Sequence, residues 1–131
     1  IIGRWFAAQG GRDRVVLATK VTGAGQRAVG GGRPITGAVL RQALEGSLRR
    51  MQTDHVDLYQ IHWPNRGSYH FRQMWTYAPS RDREGTFAHM DEVLETAAAL
   101  QAEGKVRAFG LSNESVWGTA AWRARAGARG W

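Results

Sequence analysis

The chain of 131 residues contains no cysteine. A disulfide framework, a thiolate metal site and a cysteine nucleophile are therefore excluded. The sequence also lacks an apolar run of about 18 residues, so no segment predicts a membrane-spanning helix. The absence of cysteine is typical of a protein in a reducing compartment, and we expect a cytoplasmic location. The chain is too short for a complete eight-stranded α/β barrel, which needs about 250 residues.

Acidic residues are few relative to basic ones. The 11 Asp and Glu residues against 18 Lys and Arg residues give a formal net charge of +7. Residues 119–131 contain three arginines and no acidic residue, and the remainder of the chain carries +4. Nucleic-acid binding requires clustered positive charge, often with interleaved aromatic side chains. Trp122 and Trp131 flank these arginines, but a solvated tail is the simpler interpretation, and we expect no nucleic-acid partner.

Hydrophobic patterning predicts alternating helices and strands. The spacing of apolar residues predicts helices over 1–9, 36–51 and 86–103, and strands over 15–19, 56–62 and 106–111. Thr36 is expected to cap the second helix, and Gly104 is expected to end the third. The nearly continuous apolar run Val15–Thr19 is typical of a parallel strand that is buried on both faces. This alternation predicts a parallel sheet with crossover helices.

Two long loops separate these elements. The segment 21–34 is rich in glycine but matches neither a dinucleotide fingerprint nor a Walker loop, so we expect a flexible segment at the rim. The segment 65–85 is unusually long for a loop in a compact domain, which favours a lid or a binding segment. Its five large apolar residues are expected to pack against another surface: Tyr69, Phe71, Met74, Trp75 and Tyr77. His55, His70 and His89 show no metal-ligand spacing, and no metal is expected.

Polar residues follow the predicted strands at the points where the strands end. Lys20 ends the first strand, His62 ends the second, and Ser112 and Asn113 follow the third. Parallel α/β sheets bind their ligands at the carboxyl ends of the strands. Each of these residues alone is commonly structural, but together they predict an active site at one edge of the sheet.

Three segments resemble the aldo-keto reductase family. They are Val15–Lys20, the stretch Ser47–Pro64 that includes Asp-Leu-Tyr-Gln-Ile-His-Trp-Pro, and Gly104–Ser115. Their order and separations also match, with 42 residues from Lys20 to His62 and 51 from His62 to Asn113. The resemblance extends over residues 1–118, and the long aromatic loop is similar to that of the bacterial Tas-like branch.

The resemblance implies an NADPH-dependent reductase of aldehydes or ketones on an (α/β)₈ barrel, of which this chain covers approximately strands 3 to 5 with their helices. Lys20 matches the lysine that lowers the pKa of the catalytic tyrosine, and His62 matches the histidine that orients the substrate carbonyl. Ser112 and Asn113 match residues that hold the nicotinamide carboxamide. Trp63 is expected to line the substrate pocket.

The family's catalytic Asp and Tyr have no counterpart in this chain, which begins Ile-Ile-Gly-Arg and is expected to be an internal segment. Tyr59 does not replace that tyrosine, because strand alternation places it on the face opposite His62. We therefore expect the isolated chain to be inactive. Asp54 and Asp57 belong to the resembling segment but are interpreted as structural.

One alternative function follows from the same residues. A non-catalytic regulatory subunit, such as the potassium-channel β subunits that share the fold, is the alternative to an enzyme.

Residues 119–131 do not resemble the family, and their Ala, Arg and Gly bias suggests the hypothesis of a shifted reading frame. The expected partner is a small carbonyl substrate, and the sequence does not indicate an oligomeric state.

Overall fold

The computed structural model describes residues 1–25, 30–67, 69 and 74–131. Helices and strands alternate in this part of the chain, as predicted. The elements are α1 (Ile2–Gln9), β1 (Ala18–Val21), α2 (Gly37–Met51), β2 (Val56–Ile61), α3 (Arg83–Ala102), β3 (Val106–Leu111) and α4 (Val116–Gly127). Short 3₁₀ turns lie at Arg12–Arg14 and Gly30–Gly32.

The three strands form one parallel sheet with the order β1-β2-β3. Val21, Ile61 and Leu111 are aligned across the sheet, and each is the last residue of its strand. The carboxyl ends of the strands therefore meet at one level. His62 and Ser112 come directly after two of these aligned residues.

Helices cover one face of the sheet. Val21, Tyr59 and Ile61 are at most 2% exposed on that side. The helices bury an apolar stripe against them that includes Leu40, Leu44, Met90, Val93, Leu100 and Trp122. Ala18, Lys20 and Ala108 are exposed. The prediction that the first strand is buried on both faces is therefore wrong for the described part of the chain.

The start of the first strand differs from the prediction. β1 begins at Ala18 instead of Val15, and Val16 is 81% exposed. The Arg12 guanidinium donates to Val15 O at 2.9 Å, and the Leu17 N–H donates to Asp57 Oδ2 at 2.8 Å. These contacts place the preceding residues outside the ladder, which an apolar run in the sequence does not reveal.

The helices agree more closely with the sequence. Thr36 caps α2 as predicted, with Oγ1 accepting from the Val39 N–H at 3.2 Å. Gly104 follows α3 with a φ of 74°, the left-handed conformation that favours glycine after a helix. α3 begins at Arg83 instead of Thr86, because the Asp82 carboxylate accepts from the Gly85 N–H at 2.8 Å and caps the helix earlier.

Residues 119–127, which the sequence analysis assigned to the terminal tail, are helical in the structure. Ser115 caps α4 by accepting from the Gly118 N–H at 3.0 Å. Trp122 is buried against the core, and Arg125 pairs with Asp91 of α3. Of the three arginines in residues 119–131, Arg125 and Arg129 therefore both pair with Asp91 and join the end of the chain to α3.

α1 lies close to α2 at a glycine. A Cβ atom on Gly3 would lie 2.4 Å from Arg50 O and 2.9 Å from the carbonyl carbon of Met51. Because both are backbone atoms, we expect Gly3→Ala to lower the free energy of unfolding by about 1–3 kcal/mol in urea denaturation. Gly127→Ala is the control, since its Cβ would meet no atom within 4 Å. Equal stabilities of the two variants would contradict the close approach.

Candidate active site

The structure brings His62 and the Ser112-Asn113 pair into direct contact. The Asn113 Nδ2 donates to His62 O at 2.8 Å and lies 2.9 Å from Ser112 Oγ. Asn113 adopts a φ of 53°, a left-handed conformation that asparagine tolerates better than most residues. This backbone conformation directs the side chain of Asn113 toward the end of β2. The two predicted site segments are therefore joined by a hydrogen bond.

His62 is half-buried at the end of β2. Burial, and then the positive charge of Lys20, lower the pKa of its imidazole below the ordinary value of 6.5. The His62 ring lies 4.4 Å from the Trp63 ring, centre to centre. The imidazole is therefore neutral at pH 7 and retains an N–H group that can donate to an oxygen atom.

Lys20 lies in β1 opposite Gln60 of β2. Its side chain is exposed, yet its charge is close enough to affect the pKa of His62. The structure thus places the ammonium group and the imidazole in one electrostatic environment at the carboxyl end of the sheet.

Ser112 and Asn113 offer complementary hydrogen-bonding groups. Within the described part of the chain, no donor reaches Asn113 Oδ1, which remains an acceptor. The Ser112 hydroxyl accepts from Asn113 Nδ2 and retains its own proton to donate. One donor beside one acceptor complements the carbonyl oxygen and the NH₂ group of a primary carboxamide.

Trp63 connects β2 to the loop that follows β1. Its Nε1 donates to Ala24 O at 3.2 Å. A Cβ atom on Gly23 would lie 2.6 Å from that Nε1, so the indole needs a glycine at this position. The described part of the glycine-rich loop therefore lies against the tryptophan that the sequence analysis assigned to the pocket.

Tyr59 packs against the helices, as predicted. Its hydroxyl donates to Leu40 O at 2.9 Å, and burial raises the pKa of the phenol. Four large residues of the long loop are exposed: Tyr69, Met74, Trp75 and Tyr77. Tyr69 and Tyr77 contact each other edge to face with ring centres 6.0 Å apart, but neither is buried as the predicted packing requires. Phe71 and His70 lie outside the described residues.

Two polar contacts near the site were missed by the sequence analysis. Glu114 accepts from Arg66 and from the Trp122 Nε1, which joins the loops after β2 and β3. Asn65 forms two hydrogen bonds with the backbone of Ile35, at 2.8 and 2.7 Å. The sequence shows Glu114 directly after Asn113 but does not show that this acid is buried, and burial is what makes a partner necessary.

The effect of Lys20 on His62 can be measured directly. We expect Lys20→Met to raise the pKa of His62, because removing a nearby positive charge makes protonation of the imidazole less costly. Titration of the histidine ring protons by NMR measures the change. Lys105→Met is the matched control, since Lys105 precedes β3 at the opposite end of the sheet and pairs with Glu103. An unchanged His62 pKa in Lys20→Met would show that the two charges do not interact.

Comparisons with known proteins show the family of this chain. The sequence model of the Aldo/keto reductase family matches residues 1–127. The chain is 37% identical to Protein tas of Escherichia coli strain K12 and 39% identical to the uncharacterized oxidoreductase YrpG of Bacillus subtilis strain 168. Each alignment covers 89% of this chain, with 34% of the first relative and 31% of the second. The chain therefore spans about a third of the length of these relatives.

A solved structure shows the same fold. The aldo/keto reductase of Klebsiella pneumoniae, determined in complex with NADP and acetate, superposes with a TM-score of 0.59 at 31% identity. The alignment covers 93% of this chain and 32% of that one. No helix in the described part of the chain is long and apolar enough to span a membrane. The three-stranded parallel sheet and its helices correspond to approximately strands 3 to 5 of an (α/β)₈ barrel, and the chain belongs to the aldo/keto reductase family.

Proposed function

We propose that this chain supplies the central strands of an NADPH-dependent oxidoreductase that reduces aldehydes or ketones to alcohols. The observation that carries the proposal is the meeting of Lys20, His62 and Asn113 at the carboxyl ends of three adjacent parallel strands. The Asn113 amide contacts His62 O, and the charge of Lys20 affects the His62 imidazole. Within an (α/β)₈ barrel this is the end at which chemistry occurs.

His62 is the residue that contacts the substrate carbonyl in this proposal. Its lowered pKa keeps the imidazole neutral, so that one ring N–H donates to the carbonyl oxygen and polarises it. The contact from Asn113 holds the backbone of His62. Trp63, with its indole fixed by the contact to Ala24 O, lines the substrate pocket beside the imidazole.

Lys20 acts on the family's catalytic tyrosine, which is the proton donor. The family's tyrosine has no counterpart in the described strands, since Tyr59 is buried on the opposite face. An ammonium group within about 4–6 Å of a phenol stabilises the phenolate and so lowers the pKa of the phenol. Lys20 has this effect on a tyrosine that the rest of the barrel supplies.

Ser112 and Asn113 fit the nicotinamide carboxamide. Asn113 Oδ1, which no donor of the described residues reaches, would accept from the carboxamide NH₂ group, and the Ser112 hydroxyl would donate to its oxygen. NADPH supplies the hydride when it is bound. By holding the carboxamide, the two residues would fix which face of the nicotinamide ring presents its hydride.

The isolated chain is proposed to be inactive, because it provides two of the four catalytic residues. We expect no aldehyde-dependent oxidation of NADPH by the 131-residue chain. Turnover by the isolated chain would contradict this part of the proposal.

The catalytic assignments can be tested in a chimaera in which this chain replaces the matching third of the Klebsiella pneumoniae relative. The chimaera is expected to oxidise NADPH in the presence of an aldehyde. Lys20→Met and His62→Asn are each expected to lower kcat/KM by about 10²–10⁴-fold. Lys105→Met and His55→Asn are matched controls, since both residues lie at the amino-terminal ends of strands.

The outcomes separate the two functional classes. If the site variants keep the kcat/KM of the parent chimaera, the roles of Lys20 and His62 are wrong. If the folded chimaera binds NADPH but does not reduce carbonyls, the non-catalytic binding subunit is favoured instead.

A further inference from the structure

A cleft of about 330 Å³ lies beside the start of α3. Its walls come from the segment that precedes α3, from the first turn of α3 and from the start of α4. None of the residues assigned to carbonyl reduction lines it. The cleft is therefore separate from the candidate active site, and an inference about it does not depend on the proposed function.

The cleft carries positive charge that is not neutralised by ion pairs. Arg81 and Arg83 are exposed and, among the residues that the structure describes, neither pairs with a carboxylate. Asp82 lies between them, but its Oδ1 accepts from the Gly85 N–H as the cap of α3. The third arginine in the cleft, Arg66, is paired with Glu114. One excess positive charge therefore remains, and the amino-terminal end of the 20-residue helix α3 adds to it.

Aromatic side chains form another wall of the cleft. Trp117 is 49% exposed and Tyr77 is 41% exposed. Trp117 stacks on Phe87 with ring centres 6.2 Å apart and an interplanar angle of 13°. The Arg83 guanidinium lies 5.2 Å from the centre of the Phe87 ring. Phe87 lies behind the wall of the cleft, and the Arg66 guanidinium lies 5.2 Å from the centre of the Trp117 ring. The half-exposed indole therefore has a guanidinium group beside it within the cleft.

We propose that this cleft binds a small molecule that carries a phosphate or carboxylate group on an aromatic ring. The guanidinium groups of Arg81 and Arg83 match the planar, bidentate geometry of either anion. The exposed parts of Trp117 and Tyr77 pack against a flat ring. The volume of the cleft lies near the lower end of the range for small-molecule sites, about 300–1,000 Å³, which suits a single-ring ligand.

The test is a titration of the full chain with phenyl phosphate and, separately, with benzoate. Binding is followed by ¹H–¹⁵N NMR, in which the Trp117 indole N–H reports on the cleft. We expect saturable binding of at least one of the two probes, with the larger shifts at Trp117 and at the start of α3. The comparison between them identifies the preferred anion. Inorganic phosphate and benzyl alcohol, which each carry half of the chemistry, are expected to bind at least about tenfold more weakly.

Matched variants decide whether the cleft is responsible. The double variant Arg81→Ala/Arg83→Ala is expected to weaken binding by at least about tenfold. Arg4→Ala/Arg49→Ala removes the same charge from exposed positions on α1 and α2, and it is expected to bind as the parent does. The proposal is overturned if neither probe saturates below about 10 mM. It is also overturned if both double variants bind equally, or if inorganic phosphate alone binds as tightly as phenyl phosphate.

Discussion

Glu114→Ala is expected to lower the free energy of unfolding by about 3–5 kcal/mol, the largest loss of any single substitution considered for this chain. The Glu114 and Arg66 side chains are only 5% and 11% exposed, so their charges are largely removed from water. Deleting one member of such a pair leaves the other buried without a counter-charge. The Trp122 Nε1 and the Ser115 N–H also donate to Glu114, at 3.2 and 2.7 Å, and both would lose their acceptor.

Urea denaturation of the isolated chain measures this loss. Glu95→Ala is the control, because Glu95 is exposed on α3 and, within the described residues, pairs with no cation. It is expected to change stability by less than about 0.5 kcal/mol. The double variant Arg66→Met/Glu114→Leu is expected to recover much of the loss, since it removes both buried charges together. A loss below about 1 kcal/mol in Glu114→Ala would show that the pair is solvated.

Leu100→Ala is expected to lower the free energy of unfolding by about 2–5 kcal/mol. Leu100 is completely buried near the end of α3, on the stripe that includes Met90, Val93 and Ala97. Truncation to alanine removes apolar surface from the core and leaves a cavity, since helices and strands surround the position. Because the buried apolar residues that the structure describes form one small cluster, this loss is a large fraction of the total stability.

Val116→Ala is the matched control for Leu100→Ala, and urea denaturation measures both. Val116 also lies in a helix, but it is 90% exposed. Its truncation is expected to change the free energy of unfolding by less than about 0.5 kcal/mol. Similar losses in the two variants would place Leu100 outside the cooperative core.

The elements that could be predicted most closely are those whose signals are local. β3 has the predicted bounds, Val106–Leu111, and α2 ends at Met51 as predicted. Both are bounded by residues with strong conformational preferences: Thr36 supplies a cap, and Gly104 takes a left-handed turn. Alternation along β2 also placed Tyr59 correctly, because side chains on a strand point to opposite faces in turn.

The elements that were misplaced depend on contacts distant in sequence. The start of β1 is set by Arg12 and Asp57, which are 45 residues apart. These side chains position the backbone before the strand, so its apolar pattern does not predict where β1 begins. Similarly, Trp122 is buried where α4 packs against α3, and its Nε1 donates to Glu114 in the loop after β3.

The amino-acid sequence was sufficient to predict the alternation of helices and strands, the polar residues at the strand ends and, through the Asp-Leu-Tyr-Gln-Ile-His-Trp-Pro stretch, the family. These properties are encoded in residue types and in short spacings. Three contacts became visible once the elements were placed in space: Asn113 contacts His62, Glu114 neutralises Arg66, and Arg81 and Arg83 share a cleft with Trp117. Each of these contacts depends on how separate elements pack together, and packing is a property of the whole chain that local spacing does not encode.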